Sequence, residues 1–444
     1  MALRVLAGKP LAAKMLVMGL IILGLMIPLS LLRGLIVERS QMRSQAVDTV
    51  AKGWGGSLTV GGPMLRVPFD IERKSNGGAI SVESHQLYVL PDDLSIQATL
   101  EHMTTRRVGI YGVPVYLVRI KMTGTFKMAE VLAAAATGQY PSATYHWKDG
   151  SLRLPISDVR GIREFIGATV AQQPLAFGPA LAEGFPAVES KIDLSQFFQG
   201  GALPFSVEML LAGSQSVAFL PDAARTQASL NAAWLDPQFQ GAFLPSQYAI
   251  DTHGFTAHWQ VLALNRSFAQ SWIDCQVDAS KMTSAAYGVN LFQSVDVYQR
   301  SERAVKYALL FIALTFLSFF AWESLGRLPI HAMHYLFIGL ALSTFYLLLI
   351  ALSEHLPFWM SFWLGAAALV ALLGSYVAGA MDSIRLGAII SAVMTLVYGL
   401  LYMLVLSENY ALLIGAIALF AVLATIMLAT RKLRWEMGGA SPLS

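Results

Sequence analysis

Residues 11–32 read LAAKMLVMGLIILGLMIPLSLL, and Lys14 is their only charge. An apolar run of about 20 residues is what a helix needs to cross roughly 30 Å of hydrocarbon. A cleavable secretion signal has a similar layout, but its apolar part is shorter and a small-residue cleavage site follows. No such site precedes Arg33 and Glu38, so the run reads as an uncleaved membrane anchor. Proline lacks a backbone donor, so Pro28 is expected to kink or fray the last turn.

Working outward, five more apolar runs follow a long polar stretch: 307–322, 335–352, 356–380, 386–406 and 411–429. The first of these reaches spanning length only if Arg303 and Lys306 snorkel. Six spans place both termini on one side. That side collects Arg4, Lys9, Lys14, Arg327, Arg385, Arg431, Lys432 and Arg434, while the short connections around Glu354 and Glu408 contain no Lys or Arg. Positive charge in short loops marks the cytoplasmic face. Trp322, Trp359, Trp363 and Trp435 fall at span ends, where an amphipathic ring is most stable.

The chain therefore divides into a cytoplasmic N-terminus with the first span (1–37), an outer domain (38–302), a five-helix bundle (303–430) and a cytoplasmic tail (431–444). The expected fold is a membrane α-helical bundle of six helices, one N-terminal plus five C-terminal, with a large β-rich (α+β) periplasmic domain. The expected location is a bacterial inner membrane, with membrane lipids as neighbours.

Composition agrees. The chain is 55% hydrophobic and 13% charged, against about 25% charged in soluble domains. A net charge of +3 gives no support for nucleic-acid binding. The outer stretch carries 20 Lys and Arg against 23 Asp and Glu, a balance of −3. Cys275 is the single cysteine, which excludes an intramolecular disulfide and any CxxC pair.

Beyond residue 50 short alternating runs separated by Gly, Pro, Asn and Asp read as strands, at 57–68, 79–90, 106–125, 206–211, 255–264 and 288–297. Helical patterns are fewer, at 128–137, 158–166 and 194–199. One internal echo stands out: LPDDLSIQATL at 90–100 returns as LPDAARTQASL at 220–230, with six of eleven positions identical. A duplication would divide the domain into two β subdomains, about 50–180 and 181–300. Coincidence in a turn-rich sequence is the other reading.

The span interiors hold no Asp, Glu, Lys, Arg or His. Ionisable groups at that depth are costly and mark proton or ion paths, so their absence argues against proton-coupled transport. Ionisable residues gather instead at span ends. Glu323, His331 and His334 sit at one end, and Glu354 and His355 at the other. His331 and His334 share a helix face and could hold a metal, but polar residues capping helix ends, or contacting lipid headgroups or a partner, explain both clusters. About 20 helical residues separate the clusters, roughly 30 Å, too far for one site.

Gly387, Ser391, Thr395 and Gly399 form a small-residue ridge for helix packing. Ser375 and Gly379 make a shorter one. In the outer domain His253, His258, Asp251 and Glu101-His102 give no metal triad, and no GxSxG elbow or P-loop occurs. Asp158-Val159-Arg160-Gly161 reads as a structured acid–arginine turn, with Arg160 as a candidate contact. No cofactor site, metal site or catalytic set emerges.

Several motifs then occur in a recognisable order. Gly62-Pro63 precedes Val67-Pro68, followed by Arg107 with Gly109-Ile110-Tyr111, then Asp158-Val159-Arg160-Gly161. Phe239 with Phe243-Leu244-Pro245 and Gly254-Phe255-Thr256-Ala257-His258-Trp259 come next. Arg303 through Ala308, Phe319-Phe320, Glu323, His334-Tyr335-Leu336 and Leu352-Ser353-Glu354-His355 complete the set. From residue 15 to about 430 the chain resembles the CreD family of bacterial inner-membrane proteins. It departs at Trp234-Leu235-Asp236-Pro237, where that family has Trp-Pro-x-Pro. The resemblance implies a role in envelope integrity and envelope-stress tolerance, linked to a two-component regulon, and carries over no catalytic residue.

Three functional readings follow. The first is a non-enzymatic envelope protein whose outer domain binds a lipid, a glycan or a protein. The second is a lipid-handling transporter or scramblase, with Tyr346, Tyr376, Tyr398, Tyr402, Thr395 and Ser391 lining a groove. The third is an interface enzyme using Glu354 and His355 as an acid–base pair.

Overall fold

The computed structural model describes residues 10–74, 80–136, 143–180, 185–199, 201–274, 279–291, 297–326, 331–407, 410–411, 413–417, 420–421 and 424. Most of the expected sixth span at 411–429, the tail 431–444 and Cys275 lie outside them. The chain forms two compact units, one of Met1–Met42 with Val295–Ser444 and one of Arg43–Ser294.

In chain order the elements begin with α1 (Pro10–Trp54), β1 (Leu58–Val60), β2 (Met64–Lys74), β3 (Ile80–Val89), β4 (Asp93–Val108), β5 (Tyr111–Lys127) and α2 (Met128–Ala136). Next come β6 (Thr144–Tyr145), β7 (Ser151–Pro155), β8 (Ile162–Val170), β9 (Gln173–Pro174), β10 (Gly178–Pro179), β11 (Ala187–Lys191), β12 (Ala202–Ser214) and β13 (Ser216–Phe219). Then follow β14 (Arg225–Ala232), β15 (Gln238–Gly241), β16 (Gln247–Asp251), β17 (Gly254–Leu262), β18 (Ser271–Ile273), α3 (Ala279–Ser284) and β19 (Tyr287–Asn290). The helices α4 (Val297–Gly326), α5 (Ala332–Ser353), α6 (Phe358–Ala380) and α7 (Ile384–Leu406) complete the described chain.

The β-rich unit has three sheets. The largest runs β16-β17-β14-β4-β5-β12-β8-β9, the second β10-β11-β7-β2-β3-β18 with β6 against β2, and the third β1-β13-β19-β15. Strand β4 shows why the sequence folds this way. Leu94, Ile96, Ala98 and Leu100 are buried, and the residues between them point outward, the period-2 pattern of a sheet with one face on the core. One continuous core draws Leu58 and Val60 from the third sheet, Phe69 and Leu152 from the second, and Phe126, Phe205 and Leu230 from the first. Each such side chain, fully buried, stabilises the fold by about 1.5–3 kcal/mol. In the same unit Val47 and Val50 of α1 pack on Val113 and Val115 of β5.

Four expectations change. The first helix does not end near Leu32: it continues to Trp54, and Pro28 lies inside it. One interior proline removes a single ladder bond, and the turns beyond it hold their own. The run 106–125 is not one strand but parts of two, with β4 and β5 meeting at a turn after Val108. The segment 158–166 is not a helix. After a single 3-10 turn at Val159–Gly161 it becomes β8, because pairing with β12 outweighs weak local helical preference. A boundary near residue 180 would cut every sheet, since β12 pairs with β5 and β8, β13 with β1, and β18 with β3. The echoed segments are instead neighbours: β4 and β14 pair in parallel, Asp93 opposite Arg225.

In the helical unit, α1, α5, α6 and α7 are the described helices long and apolar enough to cross a bilayer. The 30-residue α4 contains the expected span 307–322. An aromatic cluster joins α5, α6 and α7, with Phe345 4.6 Å from Tyr398 and 5.4 Å from Phe362, ring centre to ring centre. Such edge-on pairs add to the area they bury.

Candidate functional site

Strand β8 pairs antiparallel with β12 through two irregularities, at Glu208/Met209 and Leu210/Leu211. Bulges of this kind bend a strand away from its partner. After β9 the chain changes sheets, since β10 pairs with β11 of the second sheet. An open groove of about 540 Å³ lies at this crossover, lined by Val159, Ile162, Phe165, Phe177, Phe185 and Val188 among others. The rings of Phe165 and Phe177 stack 5.0 Å apart at 15°. The groove's described lining side chains are all apolar. It can take up an apolar group, and among the described residues its lining side chains include no acid, base or nucleophile.

The acid–arginine turn adjoins this groove through Val159. The Asp158 carboxylate accepts hydrogen bonds from Arg160 Nε at 2.9 Å, Arg160 Nη2 at 3.0 Å and the backbone N–H groups of Arg160 and Gly56. The Arg160 side chain, followed by those backbone donors, holds the Asp158 carboxyl below its usual range against the opposing effect of burial. Nearby, the Trp54 ring has Arg106 at 4.6 Å and Arg163 at 4.7 Å, and Arg163 also donates to the Trp54 carbonyl. Cations suit the carbonyl end of a helix.

In the helical unit Glu354 is nearly buried and lies 3.4 Å from both Arg39 Nε and the Tyr298 hydroxyl. Arg33 and Lys306 both approach Glu302, and Arg300 lies over the Phe358 ring. These partners come from α1 and α4, far from Glu354 in sequence, and nothing in the local pattern announces them. His355 is exposed, its backbone closing the end of α5. The contacts of Glu354 thus run to Arg39 and Tyr298. At the other end of α5, His331 caps the helix by accepting from the Met333 N–H, and His334 Nδ1 lies 3.2 Å from the His331 carbonyl. The Glu323 side chain lies outside the described residues. No group of three His, Cys, Asp or Glu residues is placed to hold a metal among those described.

The ridge on α7 divides. A Cβ on Gly387 would come within 2.6 Å of the Gly374 carbonyl on α6, so glycine permits that close approach. Ser391 also packs against Gly374, whereas Thr395 is exposed and Gly399 has open space beside it. The tyrosines divide as well. Tyr346 and Tyr398 are fully buried in the aromatic cluster, and Tyr376 stands near His334.

Sequence reasoning missed three polar groups of the β-rich unit. Asp70 accepts from Ser84 at 2.6 Å and lies 2.8 Å from His146 Nε2; these bonds, Ser84 first, hold its carboxyl below the usual range. His85 Nδ1 lies 2.6 Å from Asp274. Asp222 is completely buried. The first two assemble across strand pairs (Asp70 opposite Ser84, Phe69 opposite His85), a register that spacing alone does not reveal.

The segment 234–237 closes locally, with the Trp234 indole donating to the Asp236 carbonyl at 2.8 Å. The family model described as inner membrane protein CreD matches residues 10–436. The chain is also similar to the inner membrane protein CreD of Escherichia coli (strain K12), 28% identical over 449 residues, covering 96% of this chain and 94% of that one. With apolar helices before and after a three-sheet β unit in chain order, and a family match over nearly its whole length, this multi-pass chain belongs to the CreD family of inner membrane proteins.

Proposed function

We propose that this protein maintains envelope integrity by binding an apolar envelope component, a lipid or the acyl part of a lipidated partner, in the groove of its β-rich unit. That unit is periplasmic, the chain crosses the membrane six times, and both termini are cytoplasmic. The observation that carries this reading is the groove of apolar side chains at the β8–β11 crossover, large enough for a small ligand and without an acid, base or nucleophile among its described lining side chains. Eight basic residues in the terminal and short-loop segments of one face, against none in the short loops of the other, support the topology. A glycan would require stacked aromatics with polar partners at the rim, so the lining favours an acyl chain.

The test is photo-crosslinking of the full-length protein in nanodiscs containing a diazirine-labelled phospholipid. Crosslinks in peptides carrying Phe165, Phe177 or Phe185, lost in Phe165→Asp, are expected. Label confined to the helices would remove the β-rich unit from lipid binding. Cells lacking the chain but unchanged in envelope-stress sensitivity would count against the physiological role.

A further inference from the structure

The two echoed Leu-Pro-Asp turns meet. Leu90 and Leu220 share a small apolar cluster with Tyr88, Phe268 and Trp272. The Ala224 N–H donates to the Pro91 carbonyl at 3.0 Å, and the Arg225 N–H to the Asp92 carbonyl at 2.8 Å. Gln270 fastens the first turn, its Nε2 donating to the carbonyls of Leu90 at 3.0 Å and Pro91 at 2.7 Å. Arg266 in turn donates to the Gln270 side chain and stacks on Phe268 at 4.5 Å.

The aspartates of the two turns differ. Asp92 receives the Lys127 N–H at 2.8 Å and the Lys127 ammonium at 2.7 Å. Asp222 is 0% exposed, and neither of its oxygens has a partner in full hydrogen-bonding geometry. Two other groups interact with it electrostatically, Arg266 and Tyr287. Arg266 Nε and Nη1 and the Tyr287 hydroxyl are buried and equally unpartnered. Gly61 and Gly62, which lie against Asp222, carry no titratable group. A carboxylate without a full hydrogen bond is costly here, and Arg266, which acts on it electrostatically, has two unused buried donors.

We propose that Asp222 and Arg266 form a proton-set latch on the joint between the two turns. With Asp222 protonated, Arg266 stays on Gln270 and the joint is held as observed. On deprotonation, the free Nε and Nη1 of Arg266 are drawn to the carboxylate, and the hold of Gln270 on the first turn loosens. The electrostatics put this change in a useful range. Burial pushes the Asp222 carboxyl up to about 7, with Arg266 and then the Gly62 amide pulling the other way. Burial also brings Arg266 down to about 10, so it remains charged throughout. A carboxyl raised above its unfolded value of 3.8 keeps in the fold a proton the unfolded chain would release. Its contribution to stability therefore grows as pH falls from about 7 towards 4, and is lost as pH rises through 7. This is the reverse of ordinary acid denaturation.

Hydrogen exchange of the full-length protein in nanodiscs, from pH 5.5 to 8.5 and corrected for intrinsic exchange, reads the latch directly. Peptides over 87–92 and 215–230 should lose protection as pH rises, by up to about tenfold per pH unit below 7, and level off above it. Asp222→Asn should flatten the profile, while Arg266→Lys should keep it. A flat wild-type profile, or a slope unchanged in Asp222→Asn, overturns the proposal. If Asp222→Asn does not fold, Arg266→Gln decides: removing the cation should move the midpoint up, and an unmoved midpoint overturns the latch. The latch shares no residue with the groove, so its failure and the failure of lipid capture are separate results.

Discussion

The first Leu-Pro-Asp turn keeps its carboxylate against a lysine at the edge of the core, while the second buries the same carboxylate with no partner in full hydrogen-bonding geometry. Local sequence sets the shared part: proline fixes the backbone, leucine faces inward and a strand follows. The electrostatic outcome depends on residues far along the chain, Lys127 for one turn and Arg266 for the other. An identical motif therefore carries backbone information but not the charge state of its own side chain.

The hardest blow to this comparison would be evidence that the turns do not share a core. Leu90 and Leu220 are 1% and 0% exposed. Leu90→Ala and Leu220→Ala should each destabilise the β-rich unit by about 2–5 kcal/mol. Because both face one cluster, the double variant should deviate from the sum of the singles by about 0.5 kcal/mol or more. Denaturant unfolding of the full-length protein, followed by tryptophan fluorescence, measures all three. Strict additivity would mean the turns only look adjacent.

A smaller effect separates the two aspartates. Removing the Asp92 side chain strips an acceptor from the Lys127 N–H and a counter-charge from its ammonium. Asp92→Ala should destabilise by about 2 kcal/mol at pH 7. Asp222→Asn, which removes a charge held without a full hydrogen bond, should not destabilise at pH 8. The same unfolding measurement at the two pH values checks both, and equal losses would erase the distinction.

The sequence showed some of this and hid the rest for physical reasons. Apolar length exposes a membrane helix directly, and α1, α5, α6 and α7 contain four of the expected spans. Alternation exposes a strand, as in β5 and β17, but is blind to its partners. For that reason the echo suggested two subdomains while the sheets bring its copies side by side. The helical reading of 158–166 failed because the decisive interaction, with β12, lies about 45 residues away. Glu354 stood out in the sequence, but Arg39 did not, since an ion pair between helices leaves no local pattern. The apolar groove was equally silent: its phenylalanines look like ordinary core residues, and only the crossover between sheets brings them together around an open space.

The smallest expected effect lies immediately beside the two aspartates. Asp93 and Arg225 follow the first and second turns, face each other across the β4–β14 pairing and approach to 3.9 Å. They are the only ion pair joining the two echoed copies among the described contacts, and a reading based on sequence symmetry would make them the lock between the halves. Their side chains are 59% and 61% exposed, so water and salt screen the attraction, and ordering two mobile side chains offsets much of the remainder. Asp93→Asn should shift stability by less than about 0.5 kcal/mol, and the shift should vanish at high ionic strength. A larger, salt-resistant loss would place the joint's strength at the surface rather than in Leu90, Leu220 and Gln270, and the contrast between a paired and a buried aspartate would lose its structural meaning.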